Sequence, residues 1–322
     1  MLYKVGRAKC WKLLGRHSSV TRWSFKLVVV IFTRTDRPLY ALTLRLCGIA
    51  SFALMAALIK LAANSGIHLI ELVFWRQVIA LPVILSWAML SGGLARLATK
   101  RPLAHAARAG YGLIAMMLSF GGLILLPLAE ATTLGFAAPI FAVLLSAVLL
   151  KENVGLMRWC AVLAGFTGVV IIAQPGSDAI PLTGALVALG GAFMVALIST
   201  QIRDLSQTDT PPVIVFWFCV CSVAVLLVPV TLLFEPYSPR EWLLLLGLGL
   251  TGTLGQLLIT IALRFGQVSS VMTMDYSSLL WAAMYGWLLF DTLPTNTLWL
   301  GAPMLIAAGM VIVWRETIIA SR

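Results

Sequence analysis

Charge is what this sequence has least of. Asp, Glu, Lys and Arg make up 11% of its 322 residues, against about a quarter in a soluble domain. Hydrophobic residues make up 61%, and the mean hydropathy is +0.99. So few polar groups cannot cover a globule in water, which excludes a soluble fold. Histidine is scarcer still: His17, His68 and His105 are the three, and they fall in a basic leader, an outer loop and an inner loop. No Ser, His or Cys nucleophile has a base beside it and no acids cluster for a metal, which weakens an enzymatic reading. The five cysteines, Cys10, Cys47, Cys160, Cys219 and Cys221, are odd in number and lack C-x-x-C spacing. They indicate neither a disulfide framework nor a metal site.

What the sequence has is apolar runs. They fall near 43–63, 69–90, 107–127, 131–150 and 158–174, and again near 182–200, 212–234, 242–263, 268–290 and 297–314. Each approaches the ~20 residues that cross ~30 Å of hydrocarbon as a helix. The runs are continuous rather than alternating, so barrel strands are excluded, and lipid leaves helices as the remaining choice. The expectation is an all-α membrane protein with ten transmembrane helices. The run at 27–32 is too short to span and no small-residue cleavage site follows it, so it is not read as a signal peptide.

The net charge of +11 would suggest nucleic acid in a soluble protein, but the basic residues have to be placed against the spans first. Ten of them, Lys4 through Arg45, precede or open the first span. Arg96, Lys100, Arg101, Arg108, Lys151, Arg158, Arg203, Arg264, Arg315 and Arg322 bring one side to 20 of the 23. Arg240 stands alone on the other side. The positive-inside rule then predicts a multi-pass protein of the bacterial inner membrane with both termini cytoplasmic and no nucleic-acid partner. Residues 1–42 read as a disordered basic tail touching anionic lipid, or as an over-extended start that is not translated. Residues 316–322 read as a short cytoplasmic end.

The two halves repeat. "APIFAVLLSAVLLKENVGLMRWCAVLAGFTGVVI" and "YSSLLWAAMYGWLLFDTLPTNTLWLGAPMLIAAGMVIV" share an order of long helix, acidic turn, tryptophan and glycine-bearing helix. Glu152 aligns with Asp291, Trp159 with Trp299, and Gly168 with Gly309. Two units follow, 43–175 and 181–315, each with five spans. An odd number of spans inserts the second unit upside down, as in the inverted repeats of secondary transporters, with a substrate site expected near the midplane.

Gly247, Gly249 and Gly252 spell G-x-G-x-x-G, but the run around them should lie in lipid, where small residues let helices approach closely rather than cradle a phosphate. No cofactor is implied. Ionisable groups inside spans are functional candidates by default, because each is costly to insert. Arg76 is the deepest cation and a partner for an anionic substrate group or a structural acid. Asp275 is the deepest acid, a proton or cation site, with Tyr276 beside it. Gln256 lies near the middle of its span. Lys60 and Glu71 flank the first outer turn and either pair, snorkel to the interface or contact substrate. Glu130 opens the fourth span near the outer surface, where the helix dipole favours an acid. Trp75 and Trp281 lie deep enough to stack on a planar substrate, whereas Trp159, Trp242, Trp299 and Trp314 suit an interfacial belt.

"FWRQ" at 74–77, "LPLAEATTLGFAAPIF" at 126–141, "KENVG" at 151–155 and "MDYSSLLWAAMYGW" at 274–287 resemble the drug/metabolite transporter superfamily and, within it, bacterial EamA-type permeases. The resemblance covers about 43–315, and the second and fourth pieces are similar to a branch that includes riboflavin and S-adenosylmethionine transporters. It implies carriage of a small metabolite by alternating access without ATP hydrolysis, with proton or counter-substrate coupling open. The sequence departs from the branch at Ala56 or Ala57, where an acid often precedes the lysine corresponding to Lys60. The rival expectation is a membrane-embedded enzyme or a scaffold without transport activity.

Overall fold

The computed structural model describes the backbone of residues 38–90, 93–149, 155–174, 180–233, 235–265 and 273–320. Residues 1–37, which carry most of the basic leader, lie outside them. The chain is a multi-pass helical membrane protein, and no strand occurs among the described residues. The first half comprises α1 (Pro38–Asn64), α2 (Leu69–Leu90), α3 (Pro102–Leu125), α4 (Leu128–Gly135), α5 (Ala138–Leu149) and α6 (Leu156–Ala173). The second comprises α7 (Leu182–Leu205), α8 (Pro211–Leu233), α9 (Pro239–Phe265), α10 (Ser278–Phe290) and α11 (Asn296–Ala320). Among the described residues nine segments are long and apolar enough to cross a membrane, Leu128–Val148 counting as one. Large apolar side chains such as Leu103, Leu163, Leu232 and Trp299 stand exposed on the outside, where lipid rather than water is their solvent.

Prolines account for several boundaries. Pro38, Pro102, Pro211 and Pro239 each stand first in a helix, where a missing N–H costs nothing and the fixed φ suits the first turn. The helices therefore start earlier than the apolar runs: α1 five residues before 43 and α3 five before 107. The fourth span is not one helix. Pro139 cannot donate to the Gly135 carbonyl and its ring crowds that group, so α4 stops at Gly135 and α5 begins at Ala138. The ninth span is broken as well: a short 3₁₀ turn at Thr273–Ser277 leads into α10, only 13 residues long. The expected start of that span at 268 lies outside the described residues.

The two halves pack as a repeat. The first span lies against the eighth (α1 with α9), and the third against the sixth (α3 with α7), which is the same pairing with the halves exchanged. The fourth against the sixth (α5 with α7) likewise mirrors the ninth against the first (α10 with α1). The second packs on the seventh (α2 with α8) and the fifth on the tenth (α6 with α11). Glycine sets the closest of these approaches. A Cβ on Gly168 would stand 2.8 Å from the Gly301 carbonyl oxygen, and one on Gly301 would stand 2.7 Å from that of Gly168. Gly255 faces the Gly48 carbonyl, and Gly191 faces Ser119. In the G-x-G-x-x-G run on α9, Gly249 accommodates Ile79 and Gly252 accommodates Met55, so the motif is a packing surface between helices.

Candidate functional site

Polar groups are few in this bundle, and they gather at three levels along it. At the end where α1 begins, Arg45 is buried and reaches Asp275 in the 3₁₀ turn of the second half. Nε donates to Oδ1 at 2.7 Å and Nη2 to Oδ2 at 2.5 Å, the two-pronged geometry a guanidinium forms best with a carboxylate. The arginine side chain is 6% exposed and the aspartate 42%. Asp275 is therefore not a lone acid in a continuous helix, as the sequence suggested. Its partner was counted with the leader, because the helix runs seven residues, about 10 Å, past Pro38 before Arg45. Beside it the Tyr276 ring meets Phe136 edge-on at 5.1 Å, and a Cβ on Gly309 would collide with the tyrosine hydroxyl.

Fifteen residues along the same helix, about 22 Å away, Lys60 donates to the Leu126 carbonyl in the break before α4. Its ammonium lies 5.6 Å from the centre of the Phe290 ring at the end of α10. Lys60 does not pair with Glu71, contrary to one reading of the sequence. Glu130 lies close enough to act electrostatically on Lys60. Glu130 is also not at the surface: it is fully buried, and its Oε1 accepts the Thr295 backbone N–H at 2.9 Å. α4 starts beneath the surface, so its first-turn acid crosses to the second half rather than to water. At this end too, then, a first-half side chain is bonded to the second half.

Glu71 belongs to a separate group at the same end. It caps α2 by accepting the His68 N–H at 2.9 Å, and it receives the Tyr237 hydroxyl at 2.5 Å. Trp75 donates its indole N–H to that hydroxyl at 3.1 Å and packs edge-on against Trp242 at 4.8 Å. Trp75 and Trp242 thus form one aromatic cluster. Burial and the hydrogen bond to Glu71 push the Tyr237 phenol up. A cavity of about 320 Å³ opens here beside His68, Glu71, Glu235 and Tyr237.

The third level is interior. Arg76 lies about 10 Å into α2 and donates from Nη1 to Gln77 Oε1 at 3.0 Å; Cys219 Sγ on α8 approaches the same oxygen at 3.5 Å. Arg108, counted on sequence with the basic residues of one side, sits six residues, about 9 Å, inside α3 with its guanidinium 4.6 Å from the Phe218 ring centre. Nearer the end of the bundle, three residues into α3 rather than in a loop, His105 is fully buried with Nε2 3.3 Å from Asp209 in the turn before α8. Trp281 and Tyr285 stack at 6.4 Å on α10. Gln256 is exposed on α9.

Sequence reasoning missed Arg45 and Arg108 for one reason: it started helices at the apolar run. Pro38 and Pro102 were the available signals. Gln77 closes the "FWRQ" piece but had no role assigned to it, and nothing in the sequence pointed to Tyr237.

The EamA-like transporter family model matches the chain twice, over residues 39–174 and 182–314, once on each half. A riboflavin transporter of Vibrio cholerae is 33% identical over 197 residues, 59% of this chain and 64% of that relative. The pseudopaline exporter of Pseudomonas aeruginosa is 29% identical over 267 residues, 82% of this chain and 89% of its own. A crystal structure, 23% identical, superposes with a TM-score of 0.58 over 90% of this chain and 100% of the other, a likeness of fold. With both repeats matched and packed on one another, this chain belongs to the EamA-like transporter family.

Proposed function

We propose that this protein is a secondary transporter that moves a small metabolite across the bacterial inner membrane by alternating access, with both termini cytoplasmic. One observation carries the reading: the two repeats are joined by polar contacts at both ends of the bundle and lean on glycine-lined seams between. Arg45 to Asp275 closes one end and Glu130 to Thr295, with Lys60 beside it, closes the other. Releasing one set while keeping the other exposes the interior to one side at a time, which is what rocking inverted repeats accomplish.

In this reading Asp275 biases the state closed at the cytoplasmic end, Arg76 contacts the substrate, and Trp281 with Tyr285 offers a ring surface to a partly planar cargo. The cargoes named for two relatives differ, riboflavin in one and pseudopaline in the other, so the family narrows the substrate to a small metabolite and no further.

Flux in proteoliposomes of the purified protein tests this. Labelled riboflavin, S-adenosylmethionine and pooled amino acids are offered with and without an imposed pH gradient. Saturable, competed uptake of one compound is expected, and acceleration by the gradient that Asp275→Asn abolishes assigns proton coupling to that residue. A folded protein that moves no compound across a wide metabolite panel overturns the transporter reading.

A further inference from the structure

On the facing helices α2 and α3, Arg76 and Arg108 both border one turn of α8. Gln77 Oε1 touches Arg76 Nη1 and Cys219 Sγ, and the next residue along that helix, Phe218, lies under the Arg108 guanidinium. α2 and α3 run antiparallel, with Arg76 about 10 Å from one end of the bundle and Arg108 about 9 Å from the other. Both nevertheless meet the same turn of α8, Arg76 through Gln77 to Cys219 and Arg108 over Phe218.

Among the described residues neither is in an ion pair. The ion pairs among the described residues are Arg45 with Asp275, Arg101 with Asp204 and His105 with Asp209. Instead, Arg76 Nε, Arg108 Nε and Nη1, Gln77 Nε2 and Ser222 Oγ are buried without a hydrogen-bond partner among the described residues. Gln77 and Ser222 are fully buried residues. Two like charges and a set of idle donors inside lipid are costly to keep, and unmet donors of this kind call for an acceptor.

The site is also shaped. A Cβ on Gly112 would stand 2.3 Å from Arg108 Nη1 and 2.5 Å from the Phe218 ring, so only glycine leaves room for the guanidinium on that face. The aromatic ring fixes the plane of the fork, and a planar fork matches the paired oxygens of a carboxylate or phosphate.

We propose that Arg76 and Arg108, with Gln77 and Ser222, bind a carboxylate or phosphate group of the carried metabolite, making this a carrier of anionic or zwitterionic compounds. The inference rests on the transporter reading for the word carried; the anion site itself does not.

The test uses full-length protein in phosphatidylcholine nanodiscs, with [14C]succinate and [32P]phosphate as probes at constant ionic strength. Both are expected to bind, to compete with each other, and to raise the melting temperature. Arg108→Gln is expected to weaken binding about 10- to 100-fold, the loss of a charge-assisted contact, while melting no lower than the parent because a buried unpaired charge is gone. Arg108→Lys restores part of the affinity, and Gly112→Ala, which keeps both charges, also weakens it.

No binding by the parent, or unchanged binding by Arg108→Gln, overturns the proposal. So does an Arg108→Gln protein that melts well below the parent, since that marks a structural role. If phosphatidylglycerol in the nanodisc displaces both probes, the bound acceptor is a lipid headgroup and the assignment to a metabolite falls. Anion binding without flux of any anion removes the transporter reading and leaves the site. Flux that is untouched by Arg108→Gln removes the site and leaves the transporter.

Discussion

Breaking the Arg45–Asp275 pair is the most direct probe of the proposed rocking of the repeats. Asp275→Asn keeps the shape but removes the charge, and Arg45→Met keeps the stem. A charge-assisted hydrogen bond is worth ~1.5–3 kcal/mol net, and there are two here. The aspartate side chain is 42% exposed, so water screens it and replaces part of what is lost. The arginine is 6% exposed and is left without its partner, which adds a penalty. Weighing these gives a coupling of ~2 kcal/mol, about 30-fold in an equilibrium constant. A protein roughly nine-tenths closed at that end then falls to about one quarter closed. Electron–electron distances between spin labels at Leu39 and Leu280, both well exposed, report the two populations. Both single variants should shift toward the long distance, and the double variant should shift no further than either. A double variant equal to the sum of the singles, with coupling under ~0.5 kcal/mol, or distances unchanged in all three, would refute a gating role for the pair.

Three further outcomes are expected. Gly301→Ala places a methyl 2.7 Å from the Gly168 carbonyl oxygen and should cost ~1–3 kcal/mol by forcing α6 and α11 apart. Gly110→Ala, with nothing within 4 Å, should be neutral or slightly stabilising in the same thermal unfolding assay, and equal melting of the two variants would contradict this account of the seam. For Tyr237 the raised folded pKa favours the neutral phenol in the folded state, so its contribution is whole below the ordinary value of about 10 and is lost as pH rises above that. Melting curves of Tyr237→Phe should lose part of the alkaline decline seen in the parent and differ little in pH sensitivity at pH 6–8; identical alkaline profiles would dismiss the effect. Glu130→Gln keeps an acceptor for the Thr295 N–H but removes the charge near Lys60, so flux should slow with little change in melting, whereas Glu130→Ala should lower both. Full flux in Glu130→Ala would separate this residue from transport.

Much of the architecture was legible because lipid enforces it. A run of some twenty apolar residues has one stable backbone solution there, and five spans per repeat leave the second half inverted by parity alone. The breaks were harder. Pro139 lies inside an apolar stretch, and hydropathy integrates across it. The candidate site was legible only in part, because a side chain's partners depend on tertiary distance. Arg76 and Asp275 stood out as charges within spans. Nothing local tied Asp275 to Arg45, 230 residues away, or separated Lys60 from Glu71, which flank one short turn in the sequence. Glu130 appeared superficial because its helix was assumed to begin at the membrane surface, whereas α4 starts in a buried break.

α1 carries contacts belonging to both ends of the bundle, Arg45 near one and Lys60 near the other. It is 27 residues long, with one internal glycine and its only proline at the first position. Such a helix can act as a stiff lever: in the proposed transport cycle, tilting it out of one set of contacts presses it more firmly onto the other. Under the proposed alternating access the two mouths are mechanically antagonistic, and no separate device is needed to keep them from opening together. A flexible joint in the middle of that lever would remove the antagonism, and a carrier with both mouths free is a leak. Substituting proline near residue 53 should convert coupled, saturable flux into passive conductance.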